Sequence, residues 1–161
     1  PLAKEYDNVL IVQTCSKSRS LAGMRIGYAL GNSELIKAMD DVRFSFNSYP
    51  MTRLSVAAGA AAMRDTAYFE ETTRKITETR EWTKNELKRL GFKFQNSETN
   101  FIFATHQTAK AEIIFNKLRE KHIFVRHFNV PRIDNYLRIS IGTQEEMKYF
   151  ITELEKIIVT V

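Results

Sequence analysis

The chain has 161 residues, of which 43% are hydrophobic, so it is long enough for one globular domain or for one domain with part of a second. Its 24 Lys and Arg exceed its 19 Asp and Glu, which gives a formal net charge of +5. The basic residues are spread between acidic ones instead of clustering, so nothing supports a nucleic-acid partner, and an acidic, phosphorylated ligand explains the positive charge equally well. The single cysteine excludes an internal disulfide. With no signal-peptide pattern and no apolar run of membrane-spanning length, we predict a cytoplasmic protein without a membrane partner.

The first part of the chain predicts two apolar strands followed by helices. Asn8–Thr14 is almost continuously apolar, which is typical of a strand buried on both faces of a parallel sheet. Arg25–Leu30 predicts a second strand, and Asn32 then favours the start of a helix. The many small residues of 52–63 indicate a helix packed very close to a neighbour. Because a buried strand follows so soon after Pro1, we expect the chain to begin inside a fold and to be part of a longer protein.

The second part of the chain predicts a long helix and then a mixed domain. The helix covers 67–90, with a mostly charged surface, and ends at Gly91, a residue suited to a helix C-terminus. The remaining residues predict the order strand, strand, helix, strand, strand, helix. Thr108 is expected to cap the first of these helices, and Thr143 with Glu146 predicts a capping box for the second.

The segment with the most reactive side chains joins the two apolar strands and reads S-K-S-R-S-L-A-G-M-R-I-G-Y over 16–28. We expect it to form a loop at one edge of a sheet, where functional side chains are common. Lys17 offers an amine, Ser16 a hydroxyl and Arg25 a guanidinium, which together suit an anionic ligand that forms a covalent bond. A lysine between two serines is in most proteins only solvated, so this interpretation depends on the spacing of the motif.

The spacing resembles the active-site segment of fold-type I pyridoxal-phosphate-dependent aminotransferases, and within them that of the histidinol-phosphate aminotransferases, S-K-x-x-x-L-A-G-x-R-x-G-Y. The resemblance implies that Lys17 attaches the cofactor pyridoxal 5'-phosphate and then shuttles a proton. It also implies that Ser16 and Arg25 hold the cofactor phosphate. Two positions depart from the family pattern, Ser20 where many relatives have Gly and Cys15 where Phe is frequent. Neither departure removes a reacting group.

A second motif, Y-L-R-I-S-I-G-T, lies in a strand predicted over 135–141. The alternation of apolar and polar residues places Arg138 on the face opposite the apolar side chains. The motif resembles the L-R-I-[ST]-[IV]-G-T segment of the same family, which implies that Arg138 binds the substrate's carboxylate or phosphate. Arg126 in I-F-V-R and Asn100 in S-E-T-N-F match two further family segments near the substrate. Without the resemblance, each would be interpreted as a surface or turn residue.

The resemblance extends over the whole chain and implies an α/β fold, the C-terminal portion of a fold-type I transferase. Residues 1–47 would end the large-domain sheet, 48–90 would form linking helices, and 91–161 would form a small C-terminal α/β domain. It also implies a homodimer that exchanges an amino group between glutamate and imidazole-acetol phosphate in histidine biosynthesis. We expect the chain alone to be inactive, because the residues that contact the cofactor ring in this family lie outside it.

Several alternatives stay open at this point. A threonine-phosphate decarboxylase or an aromatic aminotransferase would share the lysine and arginine motifs, and so would a non-catalytic effector-binding module of a transcription regulator. A Ser–Lys hydrolase is disfavoured, because adjacent residues of an extended loop point apart. The histidines have no Cys or carboxylate partner at ligand spacing, so no metal site is predicted.

Overall fold

A computed structural model describes residues 2–161, which form two compact units that divide between Glu71 and Thr72. The division falls within one long helix. The boundaries predicted at 47 and 90 lie on either side of this point and stay predictions. The two units are described separately below.

The first unit consists of one strand pair and several helices. In chain order its elements are α1 Leu2–Glu5, β1 Leu10–Thr14, α2 Cys15–Ser18, a 3-10 turn Ala22–Met24, β2 Gly27–Gly31, α3 Ser33–Phe46, α4 Arg53–Arg64 and the first residues of α5 Thr66–Arg89. The expected loop over 16–28 therefore contains a one-turn helix and a 3-10 turn.

The strands β1 and β2 pair antiparallel, with Leu10 opposite Gly31 and Thr14 opposite Gly27. The expectation of a strand buried in a parallel sheet is therefore wrong for this chain. Val12 is 69% exposed, and within residues 2–161 β2 is the one strand that pairs with β1. The short connection lets the chain turn back on itself, whereas a parallel neighbour needs a crossover of a dozen or more residues. An apolar run indicates a strand but not the direction of its neighbour.

Local capping and close packing set the helices of the first unit. The Asn32 side chain accepts a hydrogen bond from the Glu34 backbone N–H at 2.8 Å, so the predicted N-cap of α3 is confirmed. In α4, a Cβ placed on Gly59 would lie 3.0 Å from Ile26 Cδ1. The prediction that the small residues of this helix allow a close neighbour is therefore confirmed.

The long helix α5 ends at Arg89, close to the predicted end, and Gly91 follows with a φ of 84°. A left-handed backbone at this place is what favours glycine after a helix. The sequence predicts one buried face with Phe69, Ile76, Thr83, Leu87 and Leu90, and this prediction is only partly right. Ile76 is exposed, whereas the cations Arg80 and Lys84 are buried. Their burial was not expected because charged side chains seldom lie in a protein interior without partners.

The second unit has the predicted order of strand, strand, helix, strand, strand, helix. After the C-terminal part of α5, its elements are β3 Phe92–Phe94, β4 Phe101–His106, α6 Ala111–Glu120, β5 Arg126–His127, β6 Leu137–Ser140 and α7 Gln144–Ile158. The sheet is antiparallel throughout, with the strand order β3-β4-β6-β5. The sequence predicts a strand over 123–126 and a loop from His127, but the observed β5 shares only Arg126 with that strand and continues to His127.

One face of this sheet forms the hydrophobic core with α6 and α7. Leu137 and Ile139 are buried, whereas Arg138 and Ser140 are exposed, so the predicted alternation in β6 is confirmed. The core continues into both helices and into α5, through residues that include Leu87, Ile102, Ala104, Ile114, Leu118, Phe150 and Leu154. The other face of the sheet carries the polar and aromatic side chains and is available to a ligand.

Two caps in this unit test the sequence patterns. The capping box before α7 is confirmed: the Thr143 N–H donates to Glu146 Oε2 at 2.7 Å and the Glu146 N–H to Thr143 Oγ1 at 3.2 Å. The predicted cap by Thr108 is wrong, because Lys110 precedes α6 and makes no capping bond, while Asn135 Oδ1 accepts from the N–H of Ala111, the first helical residue, at 2.9 Å. Instead His106 Nδ1 accepts hydrogen bonds from the backbone N–H groups of Thr108 and Ala109, at 3.3 and 2.9 Å.

Candidate active site

Lys17 lies in the one-turn helix α2, which begins directly where β1 ends. Thr14 caps this helix by accepting a hydrogen bond from the Ser16 backbone N–H at 3.1 Å, and its hydroxyl donates to Ser16 Oγ at 2.8 Å. Lys17 is exposed and Ser16 is half-buried. The cap therefore fixes Ser16, while the lysine side chain extends from the end of the strand.

The segment that carries Lys17 is attached to β2 through the backbone of Cys15. The Cys15 N–H donates to the Ile26 carbonyl at 3.0 Å, and the Cys15 carbonyl accepts from the Leu21 N–H at 3.0 Å. Cys15 and Ile26 are both buried. These two backbone bonds therefore hold the segment against the start of β2, while the Cys15 side chain is buried beneath it.

Arg25 lies just before β2, at the same end of the strand pair as Lys17, because Thr14 is opposite Gly27. Its backbone is left-handed, with a φ of 55°, and its guanidinium donates to the Ala22 carbonyl at 3.1 Å. Ser20 also has a φ of 55°, which explains why glycine is suited to this position of the motif. The structure thus brings Ser16, Lys17 and Arg25 to one end of the first unit.

Two contacts that the sequence did not indicate hold this segment against α4. Ser55 Oγ donates to the Met24 carbonyl at 3.1 Å. Arg19 donates from Nη1 to the Ala62 carbonyl at 2.9 Å, and its guanidinium carbon lies 3.7 Å from the centre of the Phe69 ring. The Arg19 side chain therefore has partners in α4 and α5, whereas the Lys17 side chain of the same motif has none within residues 2–161. No spacing rule would have revealed this difference, because both contacts join residues far apart in the chain.

The chemistry of these groups fits pyridoxal 5'-phosphate. Within residues 2–161, Lys17 Nζ makes no hydrogen bond or ion pair, and Arg25 has no carboxylate partner. An unpaired guanidinium and a hydroxyl suit a phosphate, and a primary amine suits an aldehyde. No group of His, Cys, Asp and Glu within the same residues is arranged to hold a metal ion.

In the second unit, the structure brings two of the predicted site residues together. Arg126 and Arg138 are directly opposite each other on β5 and β6, so their side chains project from the same face of the sheet. Each guanidinium also lies over an aromatic ring: Arg126 is 5.4 Å from the ring centre of Phe128, and Arg138 is 5.7 Å from that of Phe101. Like charges in opposite positions repel each other, which favours an anionic ligand here.

Asn100 lies at the start of β4, near the other end of the same sheet. Its carbonyl accepts a hydrogen bond from the Ile141 N–H at 2.9 Å, while its exposed side chain bonds to no other residue within 2–161. The loop before it, 95–99, borders a cavity of about 670 Å³ whose other walls include Phe101, Phe103 and Tyr136. Phe103 and Tyr136 are stacked, with 4.7 Å between ring centres. The sequence had not indicated this aromatic wall.

Comparisons with known proteins show the family to which this chain belongs. The family model described as aminotransferase class I and II matches residues 1–154. A curated histidinol-phosphate aminotransferase from Clostridium botulinum (strain Okra / Type B1) is 54% identical over 157 residues, which are 98% of this chain and 44% of that relative. The chain therefore spans less than half the length of the curated relatives it matches.

Solved structures show the same fold. The chain resembles the histidinol-phosphate aminotransferase from Sinorhizobium meliloti in complex with pyridoxal-5'-phosphate, with a TM-score of 0.80 and 32% identity over 96% of this chain and 42% of that one. The histidinol-phosphate aminotransferase from Clostridium acetobutylicum gives a TM-score of 0.84 at 22% identity, over 99% of this chain and 48% of that one.

The expected α/β fold, the C-terminal portion of a fold-type I transferase, is confirmed by these likenesses. No helix within residues 2–161 has both the length and the apolar character needed to cross a membrane. The lysine motif, the fold and the family match lead to the same conclusion, and the chain belongs to the class I and II aminotransferase family.

Proposed function

We propose that this chain supplies the lysine-bearing and anion-binding residues of a histidinol-phosphate aminotransferase, which exchanges an amino group between glutamate and imidazole-acetol phosphate. The observation that carries the proposal is the exposed Lys17 amine, which has no partner within residues 2–161 and stands beside Ser16 where β1 ends. The 54% identity to a curated histidinol-phosphate aminotransferase supports the substrate class. Because the chain spans 44% of that relative, we propose the activity for the complete enzyme.

Lys17 has the central chemical role in this proposal. Pyridoxal phosphate, when bound, supplies an aldehyde for covalent attachment and a ring that withdraws electrons from the substrate carbon. The Lys17 amine would attach the cofactor and, once displaced by the amino substrate, would accept and return the proton of the substrate carbon. The same amine must be neutral to do so.

The other residues of the first unit would bind the cofactor. The Ser16 hydroxyl accepts from Thr14 and keeps its own proton for a phosphate oxygen. Arg25 would add a planar, permanently charged fork that suits two phosphate oxygens. With Lys17, these residues would fix both ends of a phosphorylated aldehyde.

The residues of the second unit would bind the substrate. Arg126 and Arg138, opposite each other on one sheet face, would bind its phosphate or carboxylate. Asn100 would contact the substrate through its exposed side-chain amide, and its backbone carbonyl is held by the N–H of Ile141, directly after β6. We further propose a cytoplasmic homodimer, which is supported by the family resemblance alone.

A cofactor-trapping experiment tests the role of Lys17. The purified chain is incubated with pyridoxal phosphate, reduced with borohydride and digested, and the labelled peptide is identified by mass spectrometry. We expect one dominant adduct on Lys17, together with a visible absorbance band that Lys17→Ala abolishes. Lys37→Ala is the matched control, because Lys37 is also exposed but is paired with Asp41. Equal labelling of Lys17 and Lys37 would contradict a specific cofactor-binding site at Lys17.

The substrate is tested in the complete enzyme by offering histidinol phosphate and threonine phosphate in parallel with 2-oxoglutarate. We expect amino transfer from histidinol phosphate, and its loss in a Lys17→Ala variant. Decarboxylation of threonine phosphate, with no transfer from histidinol phosphate, would overturn the proposed substrate while leaving the role of Lys17 intact.

A further inference from the structure

Two buried cations on α5 distinguish this helix from an ordinary surface helix. The side chains of Arg80 and Lys84 are 5% and 4% exposed, although both lie in a stretch rich in charged residues. Removing such cations from water costs free energy, and apolar side chains of similar size would often stabilise a fold as well or better. Stability alone therefore does not explain why charged residues occupy these positions.

Arg80 directs its guanidinium at the segment 96–100, which has no regular secondary structure before β4. Its Nη2 donates to Glu98 Oε2 at 2.8 Å, and its Nη1 donates to the Thr99 carbonyl at 3.2 Å. The contact with Thr99 reaches the residue directly before Asn100. A planar guanidinium with several donors holds both a side chain and a backbone group of one segment.

Lys84 holds the start of the same segment. Its ammonium donates to Asn96 Oδ1 at 2.9 Å, and the Asn96 amide in turn donates to Glu98 Oε1 at 2.9 Å. Glu81 accepts from Lys84 at 2.8 Å and from Arg80 at 3.0 Å, so one carboxylate joins the two cations. No buried side-chain polar atom within residues 2–161 lacks a hydrogen bond, so this network is complete.

The backbone around Asn100 is therefore held at two consecutive carbonyl groups. Arg80 fixes the preceding carbonyl, and the Ile141 N–H fixes the Asn100 carbonyl itself at 2.9 Å. The Asn100 side chain is the part of this segment that stays exposed without a partner among residues 2–161. Residues 96–99, directly before Asn100, form one wall of the cavity of about 670 Å³.

We propose that Arg80 and Lys84 are positioning residues that hold the segment 96–100 in place, so that Asn100 presents its amide to the substrate. This inference rests on the substrate contact proposed for Asn100 above. Neither cation is proposed to touch the substrate. Both act through the segment that they bind.

The experiment compares wild type, Arg80→Met and Arg74→Met in the 161-residue chain. Arg74 is the matched control, because it lies on the same helix and pairs with Glu78 at the surface. Amide hydrogen exchange at 96–100 and in the β4–β6 core is measured by NMR in this chain, and the dissociation constant for histidinol phosphate is measured for the same variants of the complete enzyme. The exchange measurement requires no ligand, so it tests the positioning role independently of the substrate assignment.

We expect Arg80→Met to speed exchange at 96–100 and to weaken histidinol phosphate binding, each by at least about tenfold, because the variant removes the charged donor's hydrogen bonds to Glu98 and to the Thr99 carbonyl. Exchange in the β4–β6 core should change little, and Arg74→Met should change neither quantity. Exchange at 96–100 that is unchanged in folded Arg80→Met would overturn the positioning role.

Two further variants keep the outcomes distinct. If Arg80→Met does not fold, Glu98→Gln takes its place, because Glu98 is 73% exposed and its change leaves Arg80 bound to Thr99. Faster exchange at 96–100 in this variant supports the inference, and unchanged exchange overturns the part of it that rests on the contact between Arg80 and Glu98. Arg138→Gln tests the proposed function: if wild type and Arg138→Gln both fail to bind histidinol phosphate while Arg80→Met still speeds exchange, the substrate assignment fails and the positioning of the segment stands.

Discussion

Arg126 and Arg138 are directly opposite each other on neighbouring strands, so two positive charges form one cross-strand pair on the exposed face of the sheet. Each is placed over its own aromatic ring, Phe128 for Arg126 and Phe101 for Arg138. Two like charges at directly opposite positions destabilise a strand pair. A bound anion would remove that repulsion. Anion binding at Arg126 and Arg138 should therefore stabilise the second unit.

The first prediction follows from this repulsion. Replacing Arg126 by Gln should raise the free energy of unfolding in chloride buffer by about 0.2–1 kcal/mol, the range of cross-strand pair energies. In phosphate buffer the gain should shrink, because wild type is then stabilised by the anion that the variant binds less well. Urea denaturation in the two buffers measures both effects. Lys148→Gln, which removes a charge from α7, is the control, and an equal response of the two variants would contradict the prediction.

The second prediction concerns the departure from the family motif at Ser20, whose φ is 55°. The left-handed conformation costs a non-glycine residue more than glycine loses in chain entropy. Ser20→Gly should therefore stabilise the first unit by about 0.5–1 kcal/mol. Ala38→Gly in α3 should act in the opposite direction, by about 1 kcal/mol. Thermal denaturation of both variants against wild type is the measurement, and a loss of stability in Ser20→Gly would refute the account of its backbone.

The third prediction separates His106 from Thr108 at the start of α6. His106 is buried, accepts two backbone hydrogen bonds through Nδ1, and lies 2.9 Å from the Leu90 carbonyl through Nε2. His106→Leu leaves buried backbone groups without partners and should cost about 1–3 kcal/mol for each such group. Thr108→Ala should be nearly neutral. If Thr108 capped the helix, its loss would instead cost about 0.5–2 kcal/mol, which urea denaturation would detect.

The fourth prediction is a pH dependence of the second unit. Hydrogen bonds from Lys84 and Arg80 hold the pKa of Glu81 below its ordinary value of 4.5. A carboxylate with a lowered pKa in the folded state contributes stability that is present above pH 4.5 and is lost as the pH falls through the folded-state value. Glu81→Gln should therefore reduce the acid dependence of stability below about pH 4.5. The measurement is the urea midpoint of wild type and variant from pH 6 to pH 3. An equal change of the midpoint with pH in both proteins would contradict the prediction.

Much of the fold could be predicted because it depends on local patterns. The alternation in β6 and the capping box of Thr143 and Glu146 are confirmed because each is a relation between residues a few positions apart. The order of elements in the second unit is confirmed for the same reason. The pairing of β1 with β2 was missed, since an apolar run carries no information about the direction of its partner.

The sequence by itself determined which residues bring reactive groups, because an amine at Lys17 and a guanidinium at Arg138 are properties of the residue type and of the motif around it. The tertiary structure decided which of these groups have partners. It placed Arg126 opposite Arg138 and gave Arg19 a hydrogen bond to α4. It also buried Arg80 against the segment that carries Asn100, the predicted substrate contact. These contacts join residues distant in the chain, and their energies depend on solvent exclusion and geometry, which exist only once the chain is folded.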